Sequence, residues 1–132
     1  MNSRTAFHLD QFQQFHQWLI TQPGFEQSET LGEAQAKLRN KTQALVDGGF
    51  ADDNHLYQGQ LVIGDILLYH NHLAHHVNRD LLWYFGGDCL HYMPDDEIEK
   101  YQQLDEAWDE VSQTDGVSLD YQEVRARAFG LN

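Results

Sequence analysis

The chain has 132 residues, enough for one domain of ordinary size and too few for two. It carries 8 Lys and Arg against 21 Asp and Glu, a formal net charge of -13, which excludes surfaces built to neutralise nucleic-acid phosphates or anionic lipid. With 41% hydrophobic and 12% aromatic residues it can bury a core, which excludes wholesale disorder.

Taken in chain order, the first periodic segment runs from about Thr5 to Thr21. Leu9, Phe12, Phe15, Leu19 and Ile20 recur there at steps of three and four, a helical stripe that Pro23-Gly24 stops. A second helix is predicted to open at Thr30, where Thr30 and Glu33 read as a capping box. Leu31, Ala34, Leu38, Thr42 and Leu45 line one face of it, and Gly48-Gly49 supplies a left-handed stop. These two helices are expected to form an antiparallel hairpin.

The middle of the chain admits two readings. Leu61-Val62-Ile63 and Ile66-Leu67-Leu68-Tyr69, split by Gly64-Asp65, fit a pair of short buried strands. Ile63, Ile66, Leu67, His70, Leu73, Ala74, Val77 and Leu81 also follow helical steps, and the scarcity of turn signals from Asn54 to Val77 favours the helix. Asn78-Arg79-Asp80 restarts a helix carrying Leu81, Leu82 and Phe85 inward, which Gly86-Gly87 weakens or ends.

Pro94 followed by Asp95, Asp96 and Glu97 places negative charge at a helix N-terminus, where the macrodipole favours it. Tyr101, Leu104, Trp108 and Val111 supply the inner stripe. Eight carboxylates against one lysine give Asp95–Glu110 a net charge of -7, over half that of the chain. A last helix spans Asp120 to Phe129, with an Asp120/Glu123 capping pair at its start and Arg125, Arg127 and Gly130 at its end. The sum is a mainly α, single-domain protein of about five helices over residues 1–132. An α+β fold with a strand pair at about 61–69 is the alternative.

Six of the eight histidines lie between residues 55 and 91, four of them in His70-Asn71-His72-Leu73-Ala74-His75-His76. Imidazole is the commonest metal ligand. On a continuous helix His72, His76 and Asp80 share a face at four-residue steps, which can bind a divalent cation; Asp65 lies two turns earlier. The competing reading makes His70 a hydrogen-bonded core residue and His75 and His76 solvated surface. His70-x-His72-x-Ala74-His75 resembles the HxHxDH motif of the metallo-β-lactamase superfamily, but Ala74 stands where that family has aspartate, and the chain is too short for its fold. Phosphohydrolases of the HD type need an adjacent His-Asp pair, which the sequence lacks.

Trp83-Tyr84-Phe85-Gly86-Gly87-Asp88-Cys89-Leu90-His91-Tyr92 offers a second constellation. Read functionally, it is an aromatic-walled pocket using Trp83, Tyr84, Asp88, Cys89 and His91, with glycines admitting a ligand close to the backbone. Read structurally, its aromatics are core. Cys89 and His91 are two apart and do not face each other on a helix, so they make a poor nucleophile–base pair. Neither GxxxxGK[ST] nor GxGxxG is present. The acidic helix at 95–110 is a solvated face or a docking surface for a basic protein partner, centred on Asp105, Asp109 and Glu110. Homo-oligomerisation is a further expectation.

Cys89 is the sole cysteine, no apolar run follows Arg4, and no ~20-residue apolar segment occurs, which together read as a cytoplasmic protein outside the membrane. The run from His55 through Glu99, above all NRDLLWYFGGDCLHYMPDDEIEKY, resembles small acidic bacterial proteins with no established activity. That resemblance implies a bacterial cytosolic setting and treats the segment as a unit. The leading functional reading is a non-catalytic binding or interaction protein; the alternative is a metal-binding protein or small metal-dependent enzyme using the central histidines.

Overall fold

Asn2 opens the first helix, α1 (Ser3–Leu19): its side-chain oxygen accepts from the Thr5 backbone N–H at 2.8 Å. The structure is a computed structural model that describes residues 2–26, 32–114, 116 and 119–131. His8, Phe12, Phe15 and Leu19 form the inner stripe of α1. The next helix, α2 (Glu33–Gly48), follows Gly32; Thr30 of the predicted capping box lies outside the described residues. It stops at Gly49, whose φ of 63° is left-handed as expected. Phe50 continues the turn at φ 58° and is buried, an unusual conformation for a residue with a Cβ. The hairpin is antiparallel: Arg39 donates to the Phe25 carbonyl, His16 meets Thr42, and Phe12 reaches Phe50.

The strand pair does not form. Residues 61–69 lie within one helix, α3 (His55–Tyr69), and no strand occurs among the described residues. Burial explains this, because Val62, Ile63 and Ile66 are buried while Leu61, Leu68 and Tyr69 are exposed. That is a three-and-four spacing, whereas a strand would bury every second residue. Gly59 forms a notch against which the Phe85 ring packs; a Cβ there would lie 2.1 Å from a ring carbon.

Beyond α3 the chain tightens. A 3-10 segment covers Asn71–His76, Val77 and Asn78 are extended, and α4 (Arg79–Phe85) follows. Gly86, at φ 69° and ψ -149°, breaks the helix into a second 3-10 segment, Gly87–Tyr92. Pro94 then starts α5 (Asp95–Gln113), and Asp120 caps α6 (Tyr121–Ala128) by accepting from the Glu123 N–H at 2.9 Å. The described residues thus hold six α-helices and two 3-10 segments where about five helices were expected. The difference lies in the broken stretch from 71 to 92.

One core joins these elements, with Phe12, Leu19, Leu38, Ile66, Leu81 and Leu104 at its centre. The three tryptophans sit half-buried at its margin. Trp18 of α1 stacks on His76, Trp83 of α4 on Tyr101, and Trp108 of α5 meets Tyr121 edge-on. No helix among the described residues is long and apolar enough to cross a membrane.

Candidate functional site: an apolar groove beside α3

The predicted metal face is not assembled. Successive 3-10 residues rise more steeply than α-helical ones and align every third residue, and Val77 and Asn78 then take the chain out of helix altogether. His72 is exposed and His76 lies flat on Trp18, ring centroids 3.6 Å apart. Asp80 turns the other way. Its carboxylate accepts two bonds from Arg125, at 2.8 and 3.0 Å, in a buried bidentate pair. Among the described residues no three His, Cys, Asp or Glu side chains gather closely enough to hold a metal ion.

The second constellation divides. Tyr84 is core: it stacks on His8 at 4.2 Å and exchanges a 2.7 Å hydrogen bond with His55. Trp83 faces α5 and donates to Asp105 Oδ2 at 3.0 Å. Asp88, Cys89 and His91 do meet, lining one wall of a groove of about 500 Å³ whose other wall is α3. Their chemistry is muted. Asp88 and His91 are exposed and 3.7 Å apart, while burial, with Asp88 alongside, pushes the Cys89 thiol up to about 11. A thiol so held is a hydrophobic lining atom, not a thiolate nucleophile.

The α3 wall carries the character of the groove. Tyr57, Leu61, Gly64 and Leu68 follow one another at steps of four, three and four along it. Tyr57 is 56% exposed, Leu61 41% and Leu68 66%, and Tyr92 completes the opposite rim. Gly64 leaves a slot in the stripe, for a Cβ built there meets nothing within 4 Å. Polar groups are few and engaged: Asp65 pairs with Lys41 at 3.4 Å, and Gln60 donates to the Phe85 carbonyl at 2.8 Å. Arg79 fixes the 3-10 wall by donating to the Tyr92 carbonyl at 2.9 Å and to Glu97 at 2.8 Å. Of seven large hydrophobic side chains exposed among the described residues, five lie on α3 and a sixth is Tyr92.

A buried polar cluster sits across the core, where α1, α4, α5 and α6 meet. His8 is 1% exposed, and its Nδ1–H donates to the Arg4 carbonyl at 2.7 Å, leaving Nε2 unpartnered. Burial lowers its pKa to about 4. Burial likewise raises the Asp105 carboxyl, against the opposing pull of Arg4, and raises the Tyr101 and Tyr121 phenols. His8 continues the α1 stripe of Phe12, Phe15 and Leu19 one turn toward the N-terminus, a signal that apolar periodicity alone omits because histidine is not an apolar residue.

On α5 the three proposed docking carboxylates separate. Asp109 and Glu110 are exposed, whereas Asp105 is half-buried between Trp83 and Arg4, the latter 3.8 Å away. Asp105 therefore ties α5 to α4 and α1, with about a third of its side chain, 34%, left at the surface.

Fold and groove together define an all-helical protein with one concentrated apolar face. The chain belongs to the PA2817-like family, whose model matches residues 1–131. No curated protein and no solved structure matches it.

Proposed function

We propose that this protein acts by non-catalytic binding to a protein, through the apolar face of α3 and the groove beside it. The observation that carries the reading is the gathering of Tyr57, Leu61, Leu68 and Tyr92 at the surface around one groove. Exposed apolar side chains scattered singly are ordinary, but a contiguous patch marks an interaction surface. The matching partner is a helix bearing its own apolar stripe, laid into the groove as amphipathic helices are. The inert Cys89 thiol and the separation of His72, His76 and Asp80 support binding over nucleophilic or metal chemistry. Asp109 and Glu110 on α5 form a lesser surface in this reading, favouring basic partners over acidic ones. The setting we propose is a bacterial cytoplasm, in keeping with a lone thiol.

The test is site-specific photo-crosslinking in cells, with benzoylphenylalanine at Tyr57 or Leu68 and at Gln122 as an exposed control. Protein adducts at the α3 positions and none at Gln122 are expected. Adducts missing from both α3 positions, or equal at all three, would refute the docking face.

A further inference from the structure

We infer that the partner seated on α3 is a second copy of this chain, its own α3 running antiparallel across a two-fold axis. This rests on the docking face proposed above and names its occupant.

Spacing is the first argument. A two-fold interface uses the same patch twice, so the patch must be complementary to itself when reversed. The stripe Tyr57, Leu61, Gly64, Leu68 reads four, three, four in either direction. Antiparallel pairing sets Tyr57 level with Leu68 of the second copy, and Leu61 level with its Gly64. The leucine then enters the open slot above the glycine, and both layers fill as knobs fill holes in a left-handed helix pair.

Charge is the second. Each copy carries -13, and α5 alone concentrates -7 over Asp95–Glu110, so most faces repel their own image. Asn54–Gly64 bears no formal charge, the next residue, Asp65, is paired with Lys41, and Asp88 on the opposite wall has the His91 imidazole 3.7 Å away. Here two such acidic molecules meet at least electrostatic cost.

Area is the third. The exposed portions of Tyr57, Leu61, Leu68 and Tyr92, which line the groove, amount to about 400 Å² if a whole side chain offers roughly 200 Å², half of the ~800 Å² each partner contributes to a standard interface and enough for its apolar centre.

Light scattering on the eluting full-length protein tests this, followed over a dilution series. The expected mass is twice the 15.3 kDa of the chain. Leu61→Glu places a charge in the apolar layer, and Gly64→Gln fills the slot from a Cβ that meets nothing within 4 Å in the monomer. Each should weaken association by roughly 100-fold or more, with the helical circular dichroism of the wild type retained. Orientation is read from disulfide trapping in a Cys89→Ser background: Leu61→Cys mixed with Gly64→Cys should cross-link between copies, and Tyr57→Cys with Leu68→Cys likewise. A monomer at every concentration, or a dimer that both Leu61→Glu and Gly64→Gln leave intact, overturns the inference. A monomer whose Tyr57 photo-adducts are to other proteins defeats the second copy and leaves the docking face standing. A monomer with no adducts defeats both.

Discussion

Protonation of His8 should cost this fold stability well above the pH at which carboxylates titrate. In the folded chain its bare Nε2 is enclosed by the stacked Tyr84 ring and by Tyr121, with Arg4 and Arg125 near enough to disfavour an added proton and Asp80 favouring it. Its pKa is lowered from 6.5 to about 4. The unfolded chain therefore takes up the proton first as pH falls. Stability that is complete above about pH 6.5 drains away as pH drops toward 4, with a ceiling of about 3 kcal/mol. Between pH 7 and pH 5 the loss assigned to this one ring is about 2 kcal/mol, or roughly 7 °C in Tm for a chain of this size. The assay is urea or thermal unfolding at pH 5, 6 and 7 on wild type and His8→Phe, which keeps an aromatic ring against Tyr84. All other titrating groups are common to both, so the difference in slope isolates His8. The phenylalanine variant should retain about 2 kcal/mol more of its pH 7 stability at pH 5. Parallel slopes would refute the claim that His8 is held neutral by burial.

Three further outcomes follow from the packing. Gly59→Ala drives a methyl group into the Phe85 ring and should destabilise by about 2 kcal/mol in urea unfolding, although alanine is the better helix former; a stabilised variant would show that α3 and α4 are not in close contact. Arg125→Met strands the Asp80 carboxylate and should cost about 3 kcal/mol, most of it restored by adding Asp80→Asn, as a double-mutant cycle at neutral pH would report. Cys89, 3% exposed with its thiol pushed up to about 11, should react with a disulfide reagent at pH 8 at least ~100-fold more slowly than the same thiol in denaturant; a comparable rate would place the thiol in solvent.

Where helix signals are local, the sequence was a good guide. Pro94 with three acids behind it, the Asp120 cap and the Gly49 stop each act within one turn, and each stands where it was expected. The stretch from His70 to Tyr92 misled because what shapes it is distant. Asp80 belongs to Arg125, 45 residues on, and Arg79 ties Tyr92 to Glu97, so the chain bends to reach those partners and the four-residue histidine spacing loses its meaning. The apolar run on α3 concealed its function for a different reason. Helical periodicity identified Ile63, Ile66 and Leu67 as inward, but it could not say that Tyr57, Leu61 and Leu68 on the other side lack a cover within the same chain. Of the five residues expected in one aromatic-walled pocket, Asp88, Cys89 and His91 line the groove while Trp83 and Tyr84 do not, and the wall that defines it is α3.

The placement of the three tryptophans divides the molecule into parts that can be watched separately. Trp18 reports the seam between α1 and the first 3-10 segment, Trp83 that between α4 and α5, and Trp108 that between α5 and α6. Because each indole rests on a different neighbour, single-tryptophan versions emit from three distinct surroundings. Their unfolding curves would coincide if the domain melts as one unit. A curve for Trp108 displaced to lower denaturant would show the α5–α6 pair lifting from the remaining helices before they open.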